Sequence, residues 1–200
     1  LSGMRHATAG SVSVEGQELA NSGPEAVMAA GVGRIPEDRH ASLVLDQPVS
    51  LNLIMERIDD FAPRGRLDRS AIAAHAEELI ERYRIKARPN DRVATLSGGN
   101  IQKVLLARVL SRDPKVVIVS QPTRGRDVGA SEYVREELLA RRAEGAAILL
   151  MSEDLDELVS LSDRVVVLYE GRIVGRIDAA DADPEHLGML MAGRASEVGA

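Results

Sequence analysis

The chain has 200 residues, of which 44% are hydrophobic and 28% charged, a composition typical of an ordinary soluble globular protein. Its net charge of −6 and its 2% of aromatic residues argue against a nucleic-acid-binding surface, which needs a basic patch and stacking platforms. The chain has no cysteine, which excludes disulfides and thiolate metal sites and favours the cytoplasm. The longest apolar run, residues 146–151, is far shorter than the ~20 residues that span a bilayer.

The first predicted elements are short. Residues 11–16, SVSVEG, alternate as an exposed edge strand does and end in a turn. Pro24 suits the first turn of a helix over residues 24–30, and a short strand follows over 31–35. Residues 36–50 contain two prolines and several charges, so they are predicted to form a loop.

The second half of the chain alternates between segments with helical spacing of apolar residues and segments typical of strands. Apolar side chains recur at helical spacing over residues 69–84, which predicts an amphipathic helix. Strands alternating with helices predict an α/β fold with a largely parallel sheet. The further predicted helices cover about residues 99–112, about 129–144 and the acidic segment 153–161, and the further predicted strands cover residues 116–120, 146–151, 164–171 and 172–177.

The sequence LSGGN, residues 96–100, opens one of these helices. Gly98 and Gly99 allow a ligand to approach the backbone closely, and free N–H groups of a first helical turn favour an anion. The hydroxyl of Ser97 adds another donor. The sequence alone leaves two interpretations open, an anion-binding turn or a plain Ser-Gly-Gly helix start.

A second candidate site lies at the end of the strand VVIVS, where Ser120 and Gln121 precede a proline. The carboxyl end of a parallel strand is where ligand-binding side chains are delivered. A phosphate-transferring enzyme needs carboxylates there, to bind Mg²⁺ and to accept a proton. A neutral hydroxyl binds Mg²⁺ weakly, and an amide cannot take a proton from water.

The order and spacing of the motifs closely resemble the ATP-binding subunits of ABC transporters. LSGGNIQKVLLARVL resembles their signature motif and helix, VVIVSQP their Walker B strand, RGRD their D-loop, MSEDLDEL their switch-histidine loop and VGRIPEDRHASLVLD their Q-loop region. The combination of IPEDRH, LSGGN, QPTRGRDVGA and SDRVVVLYEGRIVG is similar to the second nucleotide-binding domain of tandem ATPases that serve ribose-type sugar and nucleoside importers.

This resemblance implies an ABC-type P-loop NTPase domain with a parallel-sheet core, a helical subdomain and a small antiparallel β part. We expect a single domain over residues 1–200. It would consist of a partial β core (1–35), a Q-loop region with the helical subdomain (36–95), and the signature helix, Walker B strand, D-loop, switch loop and C-terminal strands (96–200).

The resemblance also assigns roles to individual residues. It implies nucleotide binding by Ser97, Gly98, Gly99, Asn100 and Gln102, a Mg²⁺ position at Ser120, the Q-loop position next to the metal at Glu37, the general-base position at Gln121, the switch-histidine position at Glu153 and a contact with a partner domain at Asp127. Glu153 also has a simpler interpretation as part of the acidic start of a helix, which favours negative charge.

The departures from the family pattern predict an asymmetric pair of sites. No G-x-x-x-x-G-K-[ST] pattern occurs in these residues, so we expect the chain to be truncated at its N-terminus. Ser120 replaces a metal-binding Asp, and Gln121 replaces the Glu that positions the attacking water. The isolated chain is therefore predicted to be inactive as an ATPase, while its LSGGN motif completes the site of a partner.

The resemblance further implies the substrate ATP with Mg²⁺ and several protein partners. These are the N-terminal nucleotide-binding domain of the same polypeptide or a second copy, membrane permease subunits and, indirectly, a solute-binding protein, but no nucleic acid. The expected location is cytoplasmic, peripheral on the inner face of the cell membrane. Residues 46–55 would grip the permease or form a core helix. The alternatives are a non-catalytic ABC-fold interaction module and a soluble ABC ATPase outside transport.

Overall fold

The computed structural model describes residues 1–124 and 128–194. The chain divides into two compact units, Leu1–Leu149 and Leu150–Ala200, which are described separately here. No helix within the described residues is both long and apolar enough to cross a membrane. The single domain expected over the whole chain stays a prediction.

The first unit contains most of the elements. Its strands are β1 (Ser13–Val14), β2 (Gln17–Glu18), β3 (Val32–Ile35), β4 (Val116–Ser120) and β5 (Ala147–Met151), the last of which continues into the second unit, and its helices are α1 (Pro24–Ala29), α2 (Val49–Ile54), α3 (Arg69–Arg82), α4 (Gly98–Leu110) and α5 (Val128–Ala143). The helices and strands predicted from the sequence are present here, within a few residues of their expected ends.

A parallel sheet organises the first unit, with the strand order β3-β4-β5. β3 and β4 are parallel, in a register that pairs Val32 with Val116 and Ile35 with Val119. Val117 and Val119 are fully buried, as expected for a strand covered on both faces. This register places the end of β4, and with it Ser120, at the carboxyl edge of the sheet.

Helix α4 is the central helix of the first unit. Ser97, in an extended conformation, is its N-cap, and Pro114 lies four residues beyond its end, where it prevents continuation. Nine of its residues are buried, and each fully buried Leu or Val contributes about 1.5–3 kcal/mol to folding. The rigid packing of α4 fixes the position of the turn at its N-terminus.

A charged cluster joins α4 to the segment after α2. The Arg112 Nη1 donates to Glu56 Oε2 at 2.9 Å, and Arg112 Nη2 donates to the Met28 carbonyl at 2.9 Å. The Arg108 Nε lies 3.2 Å from Glu56 Oε1, and the Arg108 side chain is only 9% exposed. Burial lowers the pKa of Arg108, and the Glu56 charge opposes that change.

Helix α2 falls within residues 46–55, for which the sequence left two interpretations open. Val49, Leu53 and Ile54 are almost fully buried. Asn52, which is also buried, accepts a hydrogen bond from the Val44 N–H and donates to the Val44 carbonyl. α2 is therefore a core helix, and its buried face is not available to grip another protein.

The second unit consists of α6 (Leu155–Leu161), the antiparallel pair β6 (Arg164–Tyr169) and β7 (Arg172–Asp178), and α7 (Pro184–Met191). Glu170 and Gly171 connect the two strands, both with positive φ, which matches the turn that a two-residue hairpin prefers. Val165, Val167, Leu187 and Leu190 form its core. The sequence analysis did not predict α7, although Asp183 caps it by accepting from the His186 N–H.

Candidate functional site

The turn at the N-terminus of α4 presents unpaired backbone donors. The first helical hydrogen bond runs from the Ile101 N–H to the Ser97 carbonyl at 2.9 Å, so the N–H groups of Gly98, Gly99 and Asn100 precede the helical ladder. The Ser97 side chain makes no capping hydrogen bond. A β-carbon at Gly99 would meet no atom within 4 Å. The turn is thus open to a ligand that accepts hydrogen bonds.

Asn100 fixes the geometry of this turn through hydrogen bonds of both the nitrogen and the oxygen of its side-chain amide. Its Nδ2 donates to Ser97 Oγ at 2.9 Å, and its Oδ1 accepts from the Lys86 N–H at 2.8 Å. Because the Ser97 oxygen already accepts from Asn100, its own O–H remains available as a donor. The hydroxyl and the three backbone N–H groups together suit an anion such as a phosphate.

The turn borders a groove of about 510 Å³. Its walls come from α4, the segment before it and α5, and include Lys86, Ser97, Gly99, Gln102, Lys103 and Tyr133. Small-molecule sites typically have volumes of roughly 300–1,000 Å³. The groove is therefore large enough to receive part of a nucleotide.

Gln102 lines this groove with an unsatisfied side chain. It is only 1% exposed, and neither its amide nitrogen nor its amide oxygen has a hydrogen-bond partner in the described part of the chain. An unsatisfied buried amide costs about 1–3 kcal/mol. A bound ligand that supplies the missing partners would offset this cost. The nucleotide-binding role that the resemblance implies for Gln102 stays a prediction.

The groove is lined by charges of both signs, Lys86 and Lys103 with Glu132 and Glu136. Lys103 Nζ donates to the Arg84 carbonyl at 2.9 Å and lies 4.6 Å from the centre of the Tyr133 ring. Burial lowers the pKa of Lys103, and the charges of Lys86 and Arg84 lower it further. Tyr133 donates its O–H to the Tyr83 carbonyl at 3.0 Å, and burial raises its pKa.

Lys86, Lys103 and Tyr133 were not predicted from the sequence to line this site. The first of these lies 14 residues from Asn100, which it contacts, and Tyr133 belongs to another helix. One signal was present in the sequence, since Lys103, one of only three lysines in the chain, lies three residues after Asn100.

The end of β4 has an unusual backbone. Ser120 is the last residue of the strand and half-buried, and Gln121 adopts a φ of 48°. A residue other than glycine in this left-handed region costs about 1 kcal/mol. Strain of this kind concentrates at functional sites, but the side chains offered here are a hydroxyl and an amide.

Ser120 and Glu37, which the resemblance places near a metal, do not form a metal site in the described residues. The Glu37 carboxylate accepts from Arg124 Nη1 at 3.0 Å, so an arginine already neutralises it. Within residues 1–124 and 128–194, no group of three or more His, Asp or Glu side chains is arranged to hold a metal ion. The side chains present at this edge therefore do not fit Mg²⁺.

Two further residues were assigned roles by the resemblance, Glu153 and Asp127. Glu153 belongs to the second unit and is exposed just ahead of α6, where Asp154 caps the helix by accepting from the Glu157 N–H at 3.1 Å. Asp156 and Glu157 occupy the first turn, which confirms the acidic helix start. Asp127 lies outside the described residues.

The parallel sheet with its flanking helices, the small antiparallel sheets and the donor-rich turn define an ATP-binding cassette. A nucleotide-free ATP-binding cassette from an ABC transporter matches 100% of this chain and 81% of its own length, with a TM-score of 0.73 at 20% identity. A second structure is cbiO1 from Clostridium perfringens, part of the cbiONQ ABC transporter complex. It matches 96% of this chain and 74% of its own length, with a TM-score of 0.70 at 20% identity. These likenesses confirm the predicted fold.

Sequence comparison leads to the family. The family model described as ABC transporter matches residues 1–124, more than half of the chain, so the chain belongs to the ABC transporter family. It is 43% identical over 199 residues to the glucose import ATP-binding protein TsgD13 of Haloferax volcanii, with 96% of this chain and 36% of that protein covered.

Two other relatives are import ATP-binding proteins as well. The guanosine import ATP-binding protein NupO of Bacillus subtilis is 36% identical over 198 residues, with 96% of this chain and 39% of NupO covered. The ribose import ATP-binding protein RbsA 1 of Streptomyces coelicolor is 42% identical over 190 residues, with 94% of this chain and 38% of RbsA 1 covered. The chain thus spans less than half the length of these relatives.

Proposed function

We propose that this chain is the second nucleotide-binding domain of a tandem ATPase that couples ATP binding and hydrolysis to the import of a nucleoside or simple sugar. The names of its relatives, import proteins for glucose, guanosine and ribose, support this class of solute. The chain covers 36–39% of their lengths, which leaves room in such a polypeptide for a second domain of similar size.

The observation that carries the proposal is the turn at residues 97–100. The Ser97 hydroxyl, held by Asn100, and the leading N–H groups border a groove, and a β-carbon at Gly99 would meet open space. In the proposed arrangement they bind the γ-phosphate of an ATP molecule held by the partner domain. Donors placed in advance where charge develops are typically the largest contribution to such catalysis.

The carboxyl edge of β4 would contribute little chemistry of its own. Gln121 can hydrogen-bond to water but cannot take its proton at neutral pH. Ser120 offers a neutral oxygen and Glu37 is paired with Arg124, so Mg²⁺ would enter with the ATP bound by the partner. We therefore propose that hydrolysis takes place at the partner's site and that the isolated chain is inactive.

The partners follow from this function. We propose that the first is the N-terminal nucleotide-binding domain of the same polypeptide, or a second copy. The assembly would bind membrane permease subunits on the inner face of the cell membrane and serve a solute-binding protein indirectly. Nucleic acid is not a proposed partner of this acidic chain.

The direct test is ATP hydrolysis by the full-length polypeptide carrying Ser97→Arg. The matched control is Ser70→Arg, because Ser70 is an exposed serine in the first turn of α3. We expect Ser97→Arg to remove most ATPase activity and Ser70→Arg to leave it unchanged. Full activity in Ser97→Arg would contradict the proposed role of the turn.

A further inference from the structure

The side chain of Arg39, in the loop after β3, faces the turn at residues 97–100. The guanidinium of Arg39 lies against Gly98, where a β-carbon would be 3.0 Å from Arg39 Nη2 and 3.6 Å from Cζ. The Arg39 Nε is buried and has no hydrogen-bond partner in the described part of the chain. Arg39 and Gly98 are 59 residues apart in the sequence, so the fold alone brings them together.

The acidic residues beside Arg39 are engaged elsewhere. Glu37 accepts from Arg124 Nη1 at 3.0 Å. Asp38 accepts from the N–H groups of His40 and Ala41 at 2.9 and 3.0 Å. Hydrogen bonds from the Ala41 and His40 N–H groups lower the pKa of Asp38, and the Arg39 charge makes a smaller contribution. The Arg39 guanidinium also lies beside a helix N-terminus, whose partial positive charge favours a bound anion.

A second observation, at the groove that borders the turn, points to a ligand. Gln102, one turn along α4, is 1% exposed, lines the groove and leaves both of its amide atoms without a partner in the described residues. Lys86 and Lys103 line the groove as well. Glu132 and Glu136 line it too and offset these charges, so the orphaned amide is the feature of the groove that calls for a ligand with hydrogen-bonding groups.

We infer that Arg39 is a phosphate-binding residue of the composite site, which adds a guanidinium charge to the γ-phosphate that the partner domain presents to Ser97 and Gly98. This inference rests on the proposed function. A planar guanidinium can donate two parallel hydrogen bonds to phosphate oxygens, which a lysine cannot reproduce.

The chemistry requires no proton from Arg39. In ATP hydrolysis the oxygen of water bonds to the γ-phosphorus while the bond from that phosphorus to the β,γ-bridging oxygen breaks. The products are ADP and inorganic phosphate, and one proton passes to the solvent. Arg39 stays protonated throughout and stabilises the negative charge spread over the transferred group.

The experiment compares kcat and KM for ATP in the full-length polypeptide carrying Arg39→Gln, Arg39→Lys or Arg66→Gln. The last is the charge-matched control, because Arg66 is an exposed loop residue. We expect Arg39→Gln to lower kcat about a hundredfold, as the loss of one preorganised donor typically does. Arg39→Lys should recover part of this loss, and Arg66→Gln should match the wild type.

Thermal melting separates a phosphate contact from a structural role. Arg39→Gln should melt at the wild-type temperature, because no hydrogen bond of Nε is lost. A kcat equal to that of the wild type in Arg39→Gln would overturn the inference. So would a lowered melting temperature that Arg39→Lys restores without restoring any kcat.

Ser97→Arg in the same series distinguishes this inference from the proposed function. Activity lost in Ser97→Arg but kept in Arg39→Gln overturns the role of Arg39 alone. Activity kept in both variants overturns the function proposed for the turn.

Discussion

Asn100 donates a hydrogen bond from Nδ2 to Ser97 Oγ across 2.9 Å, while its Oδ1 is held by the Lys86 N–H. This pair turns a flexible serine into an oriented donor at the start of a buried helix. Holding reacting groups in place supplies much of the catalysis of phosphoryl transfer.

Asn100→Ala should lower ATP hydrolysis by the full-length polypeptide about tenfold, since it removes a hydrogen bond worth about 0.5–1.5 kcal/mol. Asn100→Asp should lower it further, because a carboxylate cannot donate to Ser97 and repels phosphate. Asn90→Ala, at an exposed loop position, is the control. The measurement is the steady-state rate of ATP hydrolysis. An unchanged rate in Asn100→Ala would show that Ser97 does not need to be oriented by Asn100.

Gly98→Asp should abolish most ATPase activity, by about 10²–10³-fold, whereas Gln121→Ala should do much less. The new carboxylate would block the approach of the γ-phosphate and repel it. It would displace only the tip of the flexible Arg39 side chain, so thermal melting should show an intact fold. If Gln121→Ala proves as damaging as Gly98→Asp, this half of the protein hydrolyses nucleotide itself.

Restoring the missing carboxylates with Ser120→Asp and Gln121→Glu should not produce hydrolysis in the purified 200-residue chain. These residues contain no phosphate-loop pattern, so nothing holds the γ-phosphate of a nucleotide bound at this edge. The same two substitutions in the full-length polypeptide should raise the rate of ATP hydrolysis. Equal gains in both proteins would mean that the phosphate loop matters less than proposed here.

Glu56→Gln should destabilise the protein by about 3 kcal/mol, because it leaves the buried Arg108 without its counter-charge. For a protein of this size that loss corresponds to a fall in melting temperature of roughly 10 °C. Glu77→Gln removes the same charge from an exposed position on α3 and should have almost no effect. A melting temperature unchanged in Glu56→Gln would show that the charged cluster contributes no net stability.

The sequence by itself determined the features that depend on neighbours along the chain. The strand at Val116–Ser120 and the helix at Gly98–Leu110 lie close to where their patterns predicted them. The N–H donors of the Ser-Gly-Gly turn are a local consequence of a helix start. The hydroxyl and the amide that follow this strand, Ser120 and Gln121, are visible in the sequence, and their role as replacements for carboxylates stays a prediction.

The tertiary structure alone decided which distant residues meet. Glu37 pairs with Arg124 across 87 positions, Arg39 reaches Gly98, and Lys86 binds Asn100. It also resolved the ambiguity of residues 46–55, since α2 is buried. Periodicity shows which face of an element is apolar, but packing of several elements at once determines what that face contacts. The charge of the proposed phosphate site therefore depends on the fold, whereas its backbone donors are already given by the sequence.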